Sequence, residues 1–219
     1  MNGVNRGIFR LLPVFLLLFL GVSSCSQKEE RRILVIHSYE ETYAAYPEFN
    51  RMIAGQFEKE KIDADIRTVY LDCESYWEEP ELERMRFLVD SVSRDWRPEV
   101  ILVNEDQATY SLMKCGIQLA KEVPVVFGGV NYPNWGLLKH HPNVTGFHDK
   151  IAFNENISVA KELFGEHVRL FTMLDTTYID RQIRRDAKEQ FKGHKVTGFI
   201  DNHELSPDCL LYTSPSPRD

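Results

Sequence analysis

Polar and aromatic side chains gather directly behind a succession of short apolar runs in this 219-residue chain. His37, Ser38 and Tyr39 follow Ile33–Ile36, with Tyr43 and Tyr46 a few positions on. Asp72, Cys73 and Glu74, then Tyr76 and Trp77, follow the run that ends at Leu71. Asn104, Glu105 and Asp106 follow Val100–Val103, and Gly128, Gly129, Asn131, Tyr132 and Trp135 follow Pro124–Phe127. Farther on come His148 and Asp149, then Asp175 to Tyr178, then Asp201 and Asn202. Rings supply a stacking wall, and amides, hydroxyls and carboxylates fix orientation, so the set suits a small polar ligand. The same residue types offer little for bond-making. A Gly-x-Ser-x-Gly elbow, a phosphate-cradling Gly-x-x-x-x-Gly-Lys loop and a Gly-x-Gly-x-x-Gly turn are all missing from the sequence. Asp72 with Asp106 is the carboxylate pair an acid–base mechanism would use, but nothing in their spacing demands it. His140, His141 and His148 sit in or near a Pro-flanked loop, where adjacent histidines seldom converge on one ion. No enzyme, metal or cofactor is expected.

The apolar runs read as strands and the stretches between them as helices. Phe49, Met52, Ile53 and Phe57 recur at helical spacing, as do Leu82, Met85, Leu88 and Val92, with Pro80 near a first turn. A helix from about Asp106 to Lys121 follows the third run. The β-α-β-α-β-α-β order predicts an α/β fold with a parallel sheet and helices on both faces. Most runs are apolar throughout, as strands covered on both sides must be, while Asp65 and Arg67 make the second alternate, which suits a place nearer an edge. Residues 131–143 are irregular and rich in Pro, Asn, Gly and His. The rhythm then resumes with Val144–Phe147, a helix over 153–164, a strand over 168–174, a helix over 178–191 and a strand over 195–200. In such sheets ligands bind beyond the carboxyl ends of the strands, where the polar tips lie. Plainer roles stand beside that one: helix capping for Asn104 and Asp106, a tight turn for Gly128–Gly129, hinge packing for Tyr132 and Trp135, and a satisfied core position for His37.

The first 25 residues have a separate purpose. Arg6 and Arg10 precede an apolar stretch, Leu11–Leu20, broken by Pro13. That is shorter than the ~20 residues a membrane helix needs and has the length of a secretory h-region. Val22-Ser23-Ser24-Cys25 resembles the lipobox of bacterial lipoproteins, which implies cleavage after residue 24, lipid on Cys25 and residence on the outer side of a membrane in the cell envelope. A simple signal peptide or short signal anchor is the alternative. Removal of residues 1–24, with two arginines and no acidic group, takes the formal net charge from −7 to −9. So acidic a chain lacks the clustered cations that nucleic acid requires. Cys73 and Cys115 are expected as buried thiols, with pairing in an oxidising compartment as the alternative.

Taken together, Arg32–Tyr39, Pro98–Asp106, Val123–Asn131 and Asn143–Gly146 resemble the substrate-binding proteins of ABC transporters with the type I periplasmic-binding-protein fold. The same pattern resembles the extracytoplasmic sensor of bacterial hybrid two-component histidine kinases. The resemblance spans about residues 32–205. It implies two lobes that close on a small-molecule solute, with His37, Ser38, Tyr39, Asn104, Glu105, Asp106, Gly129, Asn131 and Asp175 at the cleft. It also implies a membrane tether, through lipid or a following transmembrane helix, and a permease or kinase module as partner. The organisation expected is a signal peptide (1–24), a tether (25–31), an N-terminal lobe (32–130), a hinge crossover (131–150) and a partial second lobe (151–208). Residues 209–219 resemble adapter read-through and are expected to be a non-native tail, which would leave the second lobe cut short. Expression of the chain in a bacterium fed radiolabelled palmitate tests the N-terminal reading. Label should enter the wild-type protein and its membrane fraction, and Cys25→Ala should abolish both; a labelled alanine variant would contradict the assignment.

Overall fold

Four consecutive apolar residues, Ile33 to Ile36, are each no more than 4% exposed, so this strand is covered on both faces and must lie inside its sheet. The computed structural model describes residues 30–167, 169–172, 174, 177–191 and 198–201. Cys25, Asp175 and the 209–219 tail lie outside these. Strand β1 (Arg31–His37) pairs in parallel with β2 (Ala64–Tyr70) on one side and β3 (Val100–Asn104) on the other. β4 (Val125–Val130) and β5 (Val144–His148) extend the sheet, giving the order β2-β1-β3-β4-β5. Every pairing is parallel. β2, the strand whose pattern alternates, is an edge strand as expected. The order reverses between β1 and β3, and a doubly wound sheet leaves a crevice at that point.

The intervening helices are α1 (Tyr46–Lys59), α2 (Glu78–Ser93), α3 (Asp106–Lys114), α4 (Leu119–Glu122) and α5 (Trp135–Leu138). A second region holds α6 (Phe153–Phe164), β6 (Arg169–Thr172), α7 (Tyr178–Phe191) and β7 (Gly198–Asp201), with β6 and β7 parallel. The core lies between the first sheet and α2 and α3, where Leu71, Met85, Val89, Ile101 and Leu112 are fully covered. Cys73 and Cys115 are buried as free thiols.

Three features differ from the sequence reading. The helix expected over 106–121 is two helices, because Gly116 takes a φ of +76° beyond Lys114 and turns the chain out of the helix. β4 does not stop at Gly128; it runs to Val130 through a register shift between Phe127 and Val130. Residues 131–150, read as a crossover, contain the fifth strand of the first sheet, since an apolar run announces a strand but not the sheet it joins. β5 packs tightly on its neighbour: a Cβ on Gly146 would fall 2.2 Å from the Phe127 carbonyl oxygen. Gly146→Ala should therefore destabilise the domain by about 1–3 kcal/mol, seen as a lower urea midpoint; an unchanged midpoint would contradict this packing.

Candidate functional site

The carboxyl ends of β1 and β3 meet at the start of α3, and the chain closes that junction with side chains from distant positions. Ser38 Oγ donates to the Asn104 carbonyl (3.0 Å) and accepts from the Ala108 N–H (2.9 Å), so it caps α3 from another strand. Asn104 and Asp106, the expected caps, do other work. The Asp106 carboxylate accepts the backbone N–H groups of Asn131 (2.8 Å) and Tyr132 (2.6 Å), fixing the chain where it leaves β4. Glu105 takes a φ of +74°, a conformation that costs a non-glycine residue energy. Its N–H donates to the Gly128 carbonyl (2.7 Å), and its carboxylate accepts from Tyr46 Oη (2.7 Å) and the Ser38 N–H (3.3 Å). Gly129 sits alongside at φ +64°, where a Cβ would come within 3.0 Å of Asn104 Oδ1.

His37 is fully buried and satisfied. Nε2 bonds Asn50 Oδ1 (2.8 Å), Asn104 Nδ2 faces Nδ1 (3.4 Å), and the ring stacks on Tyr46 at 3.9 Å. Burial lowers its pKa, which fits a neutral ring donating at Nε2 and accepting at Nδ1. The core reading of His37 is thus the one the geometry matches. Tyr39 stacks on Tyr43 at 4.8 Å and donates its N–H to Tyr46 Oη. Asn131 Nδ2 donates to the Asp149 carbonyl (3.2 Å), and the Asp149 N–H donates to the Val130 carbonyl (2.8 Å), so the two segments leaving the sheet run side by side. The structure therefore joins eight of the nine predicted residues in one packed junction, with His37, Ser38 and Asp106 buried beneath the surface. Asp175 falls outside the described residues.

The open space lies next to that junction. A cleft of about 430 Å³ is lined by residues 73–79 with Glu81 and Gln107 on one side, and by Thr177, Tyr178 and Arg181 from the start of α7 on the other. Cys73, Glu74, Tyr76, Trp77, Thr177 and Tyr178 were among the strand-tip residues read from sequence. Glu78, Glu79, Glu81 and Arg181 were not singled out, because each occupies a helical first turn and looks like part of a solvated face, and Gln107 was read only as the end of the Asn104–Gln107 stretch. Pro80 was the usable signal: it marks the start of α2 and so places its first acidic turn at the carboxyl edge of the sheet.

Glu81 is 1% exposed. It accepts both bonds of the Gln107 amide (2.7 and 2.8 Å) and one from Ser111 Oγ. Gln107 Oε1 in turn accepts the Tyr178 N–H (3.1 Å). Burial raises the pKa of Glu81, Glu105 and Asp106 above the ordinary carboxylate values. Glu78 moves the other way, held ionised by Lys114 and Tyr110. Tyr178 rises to about 12 through burial. Its ring stacks on Tyr110 at 4.2 Å and its hydroxyl donates to the Tyr132 carbonyl (2.8 Å). Among the described residues no group of three or more His, Cys, Asp or Glu side chains is arranged to hold a metal ion, and no helix is long and apolar enough to cross a membrane.

No family model and no curated protein matches the chain. Solved structures do. The chain aligns with a ligand-free, open substrate-binding protein with adhesive properties from Clostridium difficile (TM-score 0.51, 14% identity, 78% of this chain and 56% of that one). It aligns with a conserved domain protein from Vibrio cholerae (0.59, 13%, 79% and 57%). A periplasmic binding protein from Burkholderia mallei aligns similarly (0.51, 12%, 78% and 46%). The fold is that of the periplasmic binding proteins. The chain spans about half the length of these structures.

The buried carboxyl at the cleft floor gives a pH test. With a native pKa above its ordinary 4.5, Glu81 contributes stability that is full below that value and lost as pH rises through the native pKa. Glu81→Gln should thus gain on the wild type as pH rises from about 4.5, measured by urea unfolding across a pH series. A difference that stays constant with pH would contradict the burial argument.

Proposed function

We propose that the protein is a non-catalytic, extracytoplasmic domain that binds a small solute between two α/β lobes. The observation that carries this is the cleft itself, whose walls come from both sides of the chain: Tyr76, Trp77 and Glu79 from the first lobe, Thr177, Tyr178 and Arg181 from the second. A solute that touches both walls only when they approach shifts the population toward a closed form. The likeness in fold to solved structures described as substrate-binding and periplasmic binding proteins supports this reading.

Two settings use such closure. In the first, favoured by the resemblance of Tyr70–Asp72 and Asn104–Gln107 to sensor inputs, the domain is the ligand-sensing N-terminal part of a hybrid two-component sensor histidine kinase. Closure then moves membrane-spanning signal helices. In the second, favoured by the lipobox-like Val22–Cys25, the domain is a lipid-anchored binding protein that hands its solute to an ABC-transporter permease. Both need binding without conversion. A thermal-shift panel of solutes, with each solute assayed afterwards for chemical change, checks this. At a solute concentration of about 100 times Kd, linkage adds about 2.7 kcal/mol, a rise in Tm of about 5–10 °C for a domain of this size, and the solute should be recovered intact. Conversion of the solute, or no shift across the panel, would overturn the reading.

A further inference from the structure

We propose that the solute this cleft receives is an organic cation, a small molecule carrying amine or quaternary ammonium groups. The inference rests on the solute-binding reading above and adds the sign of the ligand. The cleft wall presents four carboxyl groups, Glu74, Glu78, Glu79 and Glu81, against one guanidinium, Arg181. Two of the four are already matched. Glu81 is held by Gln107 and Ser111, and Glu78 by Lys114, Tyr110 and, at 3.8 Å, Arg181. Glu74 and Glu79 are exposed and have no hydrogen-bond or ion-pair partner among the described residues. Open to water, they are solvated and cost nothing. Closure of the lobes would strip that water, and an unpaired carboxylate out of water is expensive. A neutral or anionic solute leaves this cost uncompensated, whereas a cationic one removes it.

The aromatic lining points the same way. Trp77 is 78% exposed at the cleft, in the same short segment as Glu74 and Glu79, and its ring meets no other ring or cation among the described residues. Indole is the strongest side-chain partner for a cation held against a ring face. Tyr76, the preceding residue, already carries the Arg84 guanidinium over its ring at 5.1 Å, so this segment accommodates positive charge against aromatic carbon. The volume, about 430 Å³, suits an organic molecule and would leave a lone metal ion loosely held.

Isothermal titration of the purified protein with choline, spermidine, glucose, citrate and calcium chloride tests the inference. Choline or spermidine should bind, and raised salt should weaken that binding. Trp77→Ala should lower the affinity about 3- to 30-fold. Glu79→Gln should lower it by about threefold or more and flatten the salt dependence. Both positions are exposed, and a wild-type unfolding curve for each variant separates lost binding from lost folding. Binding of glucose, citrate or calcium with neither organic cation bound would overturn the inference while leaving a solute-binding domain intact. Binding of none of the five would overturn the inference and count against the solute-binding reading as well.

Discussion

A buried primary amide can satisfy its neighbours in one orientation only when those neighbours differ in kind, and Gln107 is held in that way. The Glu81 carboxylate offers acceptors alone, so the Gln107 NH₂ must face it, at 2.7 and 2.8 Å. The amide oxygen is thereby turned toward the first turn of α7, where it accepts the Tyr178 N–H. One carboxylate on α2 thus orients an amide on α3, and that amide receives a helix from the second region of the chain. Glu81 and Gln107 are both nearly inaccessible, so a misdirected group here would lose its partner with no water to replace it.

The remaining contacts of Tyr178 follow from that placement. Its ring lies on Tyr110, also on α3, and its hydroxyl reaches the Tyr132 carbonyl; the Tyr132 hydroxyl then donates to Asp186, two turns along α7 (2.8 Å). α3 is itself immobilised at its start by Ser38 from β1 and by the Asp106 clamp on the exit of β4. The first turn of α7 is therefore anchored to α3 through both its backbone and its Tyr178 ring. The cleft opens beside this anchor, where Tyr76, Trp77, Glu79 and Arg181 are among its lining residues. A packed junction beside an unpacked gap is the arrangement that hinge closure needs.

Much of this was legible in the residues. Strands with apolar side chains on both faces had to be parallel and covered, and Ile33–Ile36 and Val100–Val103 became β1 and β3 as read. Asp65 and Arg67 correctly marked β2 as an edge. The fate of the polar strand tips was less legible. His37, Ser38 and Asp106 carry groups that bind ligands in many proteins, yet here each is used inside the fold: His37 pairs with the Asn50 and Asn104 amides, and Ser38 and Asp106 accept backbone N–H groups that a junction of several chain segments leaves to be satisfied. Hydrogen-bond demand of that kind depends on which segments meet, and spacing along the chain does not reveal it. Glu81 was hidden for the opposite reason: a charged residue in the first turn of a helix is ordinary at a solvated surface, and only the packing of α2, α3 and α7 shows it and its partner Gln107 to be enclosed.

The central claim is that a solute lies between Trp77 and the start of α7, with the lobes drawn together over it. A crystal structure of the protein with a solute that raises its Tm tests this most directly. The account predicts density for that solute in contact with residues 76–79 and with Thr177–Arg181, and a shorter separation between those two segments than in the unbound protein. Density elsewhere, such as beside the β5 edge at Trp135, or an occupied cleft whose walls have not moved, would contradict it.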